Sequence, residues 1–168
     1  MISLYNINEN TSMEITKDDI LFLDCNSFKE LCENVSDNLK KRNLVKDGYL
    51  ENVLIRESKY PTGLDLEPIN PKYGNIAIPH TDIEYCNGKK IIYVANRVFL
   101  KMNNMISPED VLEVNRFFFL INNTHENQIN LLTDLMELIN ESDQEDVERL
   151  LSSNNKGEIE KVLNSKFK

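Results

Sequence analysis

The sequence NRFFFLIN at residues 115–122 is the most apolar strand candidate of this chain. The run from Phe117 to Ile121 has no polar residue that could face water, so it predicts a central strand in a sheet covered on both faces. Thr124 then caps a helix whose apolar positions recur at helical spacing: Ile129, Leu132, Leu135, Met136 and Ile139. The stretch therefore predicts a buried strand followed by a helix that turns one face to the core.

Strands and helices alternate along the rest of the chain. A short apolar run within residues 18–25 suits a buried strand, and Asn26 or Ser27 then begins a helix, with Glu30 completing a capping box. The remaining elements are predicted as helices at 28–42, 48–60, 143–151 and 156–163, strands at 75–80 and 90–99, and irregular stretches at 61–74 and 102–108. The alternation predicts an α/β sandwich.

Composition places the chain among ordinary folded domains. With 168 residues, 40% of them hydrophobic, it can bury a core without disulfide support. A net charge of −9 argues against nucleic acid or an anionic membrane surface as a partner. The three cysteines lack CxxC spacing and indicate neither a disulfide framework nor a zinc site. Because the sequence shows no signal peptide and no apolar run long enough to span a membrane, we expect a cytoplasmic protein without membrane insertion.

His80 carries the strongest chemical signal in the sequence. It ends the run Ile76-Ala77-Ile78-Pro79-His80. Imidazole is both nucleophilic and largely neutral near physiological pH, and a short apolar strand that ends in Pro-His would hold it at a sheet edge with its approach fixed. A histidine placed in this way can accept a chemical group and hand it on.

Three short motifs occur in order around this histidine: Arg-Glu at 56–57, Pro-Thr-Gly-Leu at 61–64 and Ala-Ile-Pro-His at 77–80. Together they resemble the enzyme IIA domains of the bacterial phosphotransferase system, in the fructose and mannitol class, and the last two are most similar to galactitol-type members. The resemblance implies a type 2 enzyme IIA domain at residues 15–168, a single-domain mixed β-sheet flanked by helices on both faces. Residues 1–14 would form a polar N-terminal arm.

The resemblance also implies a function, that of a phosphocarrier. In such domains the histidine of the Pro-His motif takes a phosphoryl group from the phosphocarrier protein HPr. It then passes the group to a cysteine of an enzyme IIB component, which serves a membrane IIC component in sugar or polyol uptake, galactitol being the sugar of the most similar members. By this likeness His80 is the phosphoryl acceptor and Arg56 lies beside the phosphohistidine. No cofactor, metal or nucleotide is implied.

The physical chemistry of the same residues agrees with that role. Phosphoryl transfer needs positioning and positive charge near the phosphoryl oxygens, which the planar fork of Arg56 can supply. The hydroxyl of Thr62 or Thr81 could donate a further hydrogen bond, and the sequence does not choose between them. Two alternatives stay open: Arg56 could form a surface ion pair with Glu57 or Asp65, and Thr62 could stabilise a turn.

The chain departs from the family pattern in the loop at residues 65–73, which is longer than usual. We expect this loop to affect access to His80 or the choice of partner. Ile69, Tyr73 and Ile78 are predicted to form part of an apolar rim around the histidine. Their alternative role is internal packing, because buried isoleucine is common.

A second departure concerns a histidine that many fructose and mannitol members place near the active one. Gln128 stands at that position here, as in galactitol-type members, and His125 precedes it by three residues. His125 either reaches the same site from the helix start or is a solvated residue of the first turn. We favour the solvated alternative, because a helix N-terminus disfavours the imidazolium.

Two functions are compatible with the sequence. The first is a transport relay that turns over phosphate for sugar uptake. The second is a regulatory module that uses the same fold and histidine to report phosphorylation state to a protein partner. The sugar cannot be read from the chain, because an enzyme IIA domain contacts protein partners rather than the sugar.

Overall fold

A five-stranded mixed sheet forms the centre of the computed structural model, which describes residues 13–168. In chain order its strands are β1 (Ile20–Leu23), β2 (Gly63–Asp65), β3 (Asn75–Ala77), β4 (Lys90–Asn103) and β5 (Val111–Ile121). The α-helices of the described residues are α1 (Phe28–Lys41), α2 (Tyr49–Lys59), α3 (His125–Glu141), α4 (Gln144–Ser152) and α5 (Lys156–Phe167). Short 3₁₀ turns lie at Lys17–Asp19 and Ile83–Tyr85.

The strand order across the sheet is β1-β4-β5-β3-β2. The pairs β1 with β4 and β3 with β5 are parallel, whereas β4 with β5 and β2 with β3 are antiparallel. The two long strands therefore lie inside the sheet, and the short strands β1 and β2 form its edges. A single-domain α/β fold with a mixed sheet, as the sequence predicted, is confirmed.

Alternate residues of β5 pack against opposite layers of helices. Phe117 and Phe119 are buried with α1 and α2, while Phe118 and Leu120 are buried with α3, α4 and α5. Successive strand residues point to opposite faces, so a strand that is apolar at every position needs cover on both. Burial of each such side chain contributes about 1.5–3 kcal/mol to stability. The predicted central position of residues 115–122 is confirmed.

Side-chain caps begin α1 and α3 where the sequence predicted them. The hydroxyl of Ser27 accepts the backbone N–H of Glu30 at 3.1 Å, and the Glu30 carboxylate accepts the N–H of Asn26 at 2.9 Å. Ser27, rather than Asn26, is thus the N-cap residue of α1. The hydroxyl of Thr124 accepts the N–H of Asn127 at 3.1 Å, so α3 begins at His125.

The hairpin of β4 and β5 is longer than predicted. β4 continues to Asn103, which pairs with Val111, so the prediction of an irregular stretch at 102–108 is wrong at its start. A register shift between Ala95 and Leu100 interrupts the pairing. A bulge of this kind bends its strand and ends the local pattern of alternation. This is why the sequence predicted a strand that stopped at Phe99.

Residues 61–74 contain a strand that the sequence did not predict. β2 pairs with β3, and Gly63 lies opposite Ala77. A Cβ atom at Gly63 would lie 2.5 Å from the carbonyl oxygen of Asn103, so only glycine permits this approach of the two backbones. The Pro and Gly residues that predicted a loop therefore surround a three-residue strand.

The start of the described chain packs against α5. The N–H of Met13 donates to the carbonyl of Phe167 at 2.6 Å, and the N–H of Ile15 donates to the Asn164 side chain at 2.8 Å. Residues 1–12 of the predicted N-terminal arm lie outside the described residues. Within residues 13–168, none of the helices has the length and apolar character needed to cross a membrane.

Candidate active site

His80 is held by the backbone of the segment that follows β3. β3 itself ends at Ala77, which pairs with Phe117 of β5. The chain continues beside β5: the carbonyl of Pro79 accepts the N–H of Leu120 at 3.1 Å, and His80 forms an isolated bridge with Leu120. The imidazole therefore projects from backbone that is anchored to a central strand, which limits its freedom to move.

One ring nitrogen of His80 is committed to the protein. Nδ1 lies 2.9 Å from the carbonyl oxygen of Ile78. A carbonyl can only accept, so Nδ1 must carry the proton, and Nε2 keeps its lone pair. Burial lowers the pKa of His80, and the nearby charge of Arg56 lowers it further, although the Ile78 hydrogen bond and Asp82 act in the opposite direction. The geometry thus presents a neutral imidazole with Nε2 as its nucleophilic atom.

Arg56 extends from α2 toward the turn after His80. Its Nη1 donates to the Asp82 carboxylate at 2.8 Å, and Asn52 holds the same carboxylate at 3.1 Å. The alternative that Arg56 pairs with Glu57 or Asp65 is wrong: within the described residues its ion-pair partner is Asp82. The Nε–H of Arg56 is buried without a hydrogen-bond partner. A phosphoryl oxygen beside His80 would give this donor a charged acceptor.

A chain of hydrogen bonds joins α2 to the backbone of His80. The Glu57 carboxylate accepts the hydroxyl of Thr62 at 2.7 Å and the N–H of Thr62 at 2.8 Å. The hydroxyl oxygen of Thr62 in turn accepts the N–H of Ile78 at 3.2 Å, and the carbonyl of Ile78 holds the His80 ring. Burial raises the pKa of Glu57, while the bonds from Thr62 favour its ionised form. We call this Glu57-Thr62-Ile78-His80 series the positioning chain.

The contacts of Thr62 and Thr81 bear on which hydroxyl could bind phosphate. Thr62 gives its single hydroxyl proton to Glu57, which favours a positioning role over the predicted direct contact with a phosphoryl group. Thr81 is buried, and its hydroxyl donates to the carbonyl of Asp82 at 2.9 Å. Both hydroxyls therefore fix the backbone on either side of His80.

A cleft of about 450 Å³ opens beside this turn. Its lining comes from α2, from the turn after His80 and from the first turn of α3: Arg56, Asp82, Ile83, Glu84, His125 and Gln128. The structure therefore brings His125 and Gln128 to the same cleft as Arg56, although His125 is exposed.

The predicted apolar rim is wrong at two of its three positions. Tyr73 and Ile78 are buried in the core beneath α3, α4 and α5. Ile69 is exposed, but its neighbour Asn70 binds Gln144 of α4 at 3.0 Å, so the long loop is anchored to that helix. Tyr73 precedes β3 and Ile78 follows it, and both side chains turn into the core on the side that these three helices cover.

Two exposed apolar side chains lie next to residues that line the cleft: Tyr60, which the sequence did not single out, and Ile129, which the sequence wrongly assigned to the core-facing stripe of α3. The ring of Tyr60 lies 5.2 Å from the guanidinium carbon of Arg56 and is exposed. Ile129 is exposed next to Gln128. Asp82, the partner of Arg56, was equally missed, although its place two residues after His80 was a usable signal.

The sequence profile of one family extends over nearly all of the chain. The family described as phosphoenolpyruvate-dependent sugar phosphotransferase system, EIIA 2, matches residues 13–166. The chain belongs to this family. As an enzyme IIA it is a phosphotransferase component that carries a phosphohistidine. A search of curated protein sequences gave no match.

Solved structures share the fold of this enzyme IIA at low identity. The complex of mannitol enzyme IIA with phosphorylated enzyme IIB from Escherichia coli gives a TM-score of 0.70 at 17% identity, covering 90% of this chain and 98% of that chain. The crystal structure of mannitol IIA from the same organism gives 0.67 at 17% identity, covering 90% and 99%. Nitrogen regulatory protein IIA-Ntr from Neisseria meningitidis gives 0.60 at 19% identity, covering 94% and 99%. At these identities the likeness concerns the fold.

Proposed function

We propose that this enzyme IIA accepts a phosphoryl group from phospho-HPr on Nε2 of His80 and passes it to a cysteine of an enzyme IIB component. The observation that carries the proposal is the hydrogen bond from His80 Nδ1 to the Ile78 carbonyl, which leaves Nε2 as the nucleophile. The unpartnered Nε–H of Arg56 supports it, because a phosphoryl group would satisfy that donor.

The chemistry follows from the state of the ring. The Nε2 lone pair attacks phosphorus, a new N–P bond forms, and the bond from phosphorus to the donor breaks with its electron pair leaving on the donor. The imidazole then carries positive charge, which the hydrogen bond from Nδ1–H to Ile78 stabilises. A charged ring is a better leaving group, so the same bond favours the second transfer, to a thiolate that supplies its own electron pair. Arg56 neutralises charge on the phosphoryl oxygens in both steps.

The proposed partners are HPr, an enzyme IIB component and a membrane IIC component of the same permease. The IIB assignment is supported by the mannitol IIA structure, which was solved with phosphorylated IIB. Uptake of a sugar or polyol follows from the family, and galactitol is proposed from the motifs at 61–64 and 77–80. These partners work at the inner face of the membrane, so the protein would be cytoplasmic.

A regulatory role is the second candidate function. The likeness to nitrogen regulatory protein IIA-Ntr favours it, because that protein has the same fold and a name that places it outside sugar transport. A relay must pass its phosphoryl group rapidly to a IIB cysteine, whereas a regulator need only keep it and report its presence to a partner.

Incubation with enzyme I, HPr and phosphoenolpyruvate, followed by mass spectrometry, tests the proposal. We expect one acid-labile phosphate, lost in His80→Ala and retained in the matched control His125→Ala. Retention of the label in His80→Ala would contradict the assignment of the acceptor. Addition of candidate IIB proteins to the labelled chain separates the two functions, because only a relay discharges to one of them within a turnover time.

A further inference from the structure

Arg116 of β5 is a buried cation with neutral partners. It is 6% exposed, and its Nη1 donates to the hydroxyl of Tyr93 at 2.7 Å and to the carbonyl of Ser153 at 2.8 Å. Its Nε–H is buried without a partner. Within residues 13–168, no carboxylate forms an ion pair with it. A buried guanidinium is normally matched by an anion, because a desolvated charge is costly.

Arg116 lines a cleft of about 420 Å³ that lies away from His80. The cleft opens at the bulge of β4, where pairing with β5 is interrupted after Ala95. Arg116 precedes Leu120, the partner of His80, by four residues, which is about 13 Å along a strand. The cleft is therefore separate from the site of phosphoryl transfer.

The mouth of this cleft is richer in cations than an acidic chain would suggest. Arg97 lines it and is exposed, with one bond to the Asp24 carboxylate at 3.4 Å. The ammonium group of Lys156 lies 5.6 Å from the ring centroid of Phe22, another lining residue. Arg116, Arg97 and Lys156 thus lie at or beside one cleft in a protein of net charge −9.

The rest of the lining suits a polar ligand with a carbon skeleton. The side-chain amides of Asn115 and Asn154 line the cleft and have no hydrogen-bond partner among the described residues. Amides can both donate to and accept from hydroxyl groups. The ring of Phe22 offers an apolar face, and a cleft of this volume is large enough for a small ligand.

We propose that this cleft binds the phosphate monoester of a small polyhydroxylated molecule. The phosphate would lie against Arg116, whose fork geometry suits its oxygens. The hydroxyl groups would contact Asn115 and Asn154. Binding uses no atom of His80 or Arg56, so it occurs in the unphosphorylated protein and can be tested without phosphoryl transfer.

Titration of the ¹⁵N-labelled, unphosphorylated full chain with sorbitol 6-phosphate tests the proposal by NMR. We expect saturable shifts at the backbone amides of Ala95, Asn115 and Arg116, and none with free sorbitol. Equal binding of free sorbitol would overturn the phosphate assignment. Shifts centred on Thr81 and Asp82 instead would place the ligand at the site of phosphoryl transfer, and the absence of saturable shifts at millimolar ligand would also overturn the proposal.

Two variants at different positions test the proposal, because replacement of the buried Arg116 could prevent the protein from folding. Arg116→Gln removes the cation, and Asn115→Asp adds a negative charge at a half-buried lining position. Each should weaken binding roughly tenfold or more, whereas Arg149→Gln, a change at an exposed arginine outside the cleft, should not. Affinity unchanged in Asn115→Asp would contradict the proposal even if Arg116→Gln failed to fold.

Discussion

The hydrogen bond from Nδ1 of His80 to the carbonyl of Ile78 leaves one ring nitrogen for chemistry. Protonation of that nitrogen, Nε2, abolishes nucleophilicity, so the charge state of the ring sets the rate of phosphorylation. Because burial lowers the pKa of His80 from 6.5, the ring stays neutral to more acidic pH than an exposed histidine would.

We therefore expect the rate of phosphorylation by phospho-HPr to stay level from neutral pH down to about 6.5 and to fall only below it. Because the lowered pKa means that the folded state binds this proton less tightly than the unfolded state, His80 favours folding above pH 6.5. That contribution to the free energy of unfolding is lost as pH falls through the folded-state pKa. An NMR titration of the His80 ring gives the midpoint directly. A midpoint above 6.5 would show that burial does not control this group.

Replacement of Arg56 by lysine separates charge from geometry. Lysine keeps the positive charge but lacks the fork that binds Asp82 and offers Nε–H to a phosphoryl oxygen. We expect Arg56→Lys to slow transfer to and from His80 by about tenfold or more, with a change in unfolding free energy within about 1 kcal/mol. Rapid-quench measurement of the transfer rate and urea unfolding give the two quantities.

The matched control for this variant is Arg149→Lys, which changes an exposed ion pair on α4. Arg149→Lys should alter neither the rate of phosphoryl transfer nor the free energy of unfolding. Transfer by Arg56→Lys at the wild-type rate would mean that the guanidinium does not contact the phosphoryl group. A large loss of stability would instead assign Arg56 a structural role through Asp82.

The sequence pointed to His80 and Arg56, the residues to which we assign the chemistry, and gave no role to Asp82, the partner of Arg56. His80 and Arg56 belong to motifs whose residue types suit phosphoryl transfer, so pattern and chemistry agreed. Glu57 contacts Thr62 only 5 residues away, whereas Asp82 pairs with Arg56 across 26 residues of the chain. Such pairing depends on how the helix docks, and no local pattern encodes it.

At the scale of elements, the positioning chain couples the end of α2 to the segment that carries His80. Glu57 accepts two hydrogen bonds from Thr62, and Thr62 accepts one from Ile78. A glutamine at position 57 has one oxygen and an NH₂ group, so it can accept only one of the two and turns a donor toward the other. The Ile78 N–H would keep its bond to the Thr62 carbonyl at 3.3 Å but would lose the fixed hydroxyl as its second acceptor, so the His80 ring would be held less firmly.

We expect Glu57→Gln to lower the rate constant of phosphoryl transfer several-fold while the KM for phospho-HPr stays unchanged, with a stability loss of roughly 1–3 kcal/mol. Steady-state kinetics and urea unfolding measure these effects, with Glu51→Gln, on an exposed part of the same helix, as the control. The midpoint of the His80 ring titration should also shift in Glu57→Gln, because that midpoint depends on the surroundings of the ring. A loss of stability alone would leave the midpoint unchanged. A wild-type rate constant in Glu57→Gln would mean that the positioning chain contributes to stability and does not orient His80 for transfer.

Elements with strong patterns were predicted from the sequence, and short elements were not. β5 is apolar at every position of 117–121, and α1 and α3 begin at capping residues, so local signals agreed with the fold. β2 has three residues and owes its existence to pairing with β3 and to the approach of Asn103 at Gly63. Its partners come from distant parts of the chain, which explains why its own residues predicted a loop.

Two exposed apolar side chains adjoin residues that line the cleft beside His80: the Tyr60 ring contacts Arg56, and Ile129 follows Gln128 on α3. Tyr60, at the end of α2, is 64% exposed, and Ile129, on α3, is 65% exposed. A IIA domain must bring the same histidine to two partners and release each, which modest contacts at an apolar patch allow. We infer that Tyr60 and Ile129 form the rim that the sequence assigned to Tyr73 and Ile78.

Serine at either rim position should therefore weaken encounter with a partner without changing the chemistry. We expect Tyr60→Ser and Ile129→Ser to raise the KM for phospho-HPr or for the cognate IIB several-fold, with the rate constant at saturation preserved, because each removes apolar area and leaves His80 and its positioning chain in place. Phe99→Ser is the matched control. Phe99 is 62% exposed but lies in the bulge of β4, away from the cleft that Arg56 and Asp82 line. An equal rise in KM for Phe99→Ser would mean that surface hydrophobicity in general, rather than this rim, governs the encounter. An unchanged KM in both rim variants would place recognition on the charged residues of the cleft, Arg56, Asp82 and Glu84.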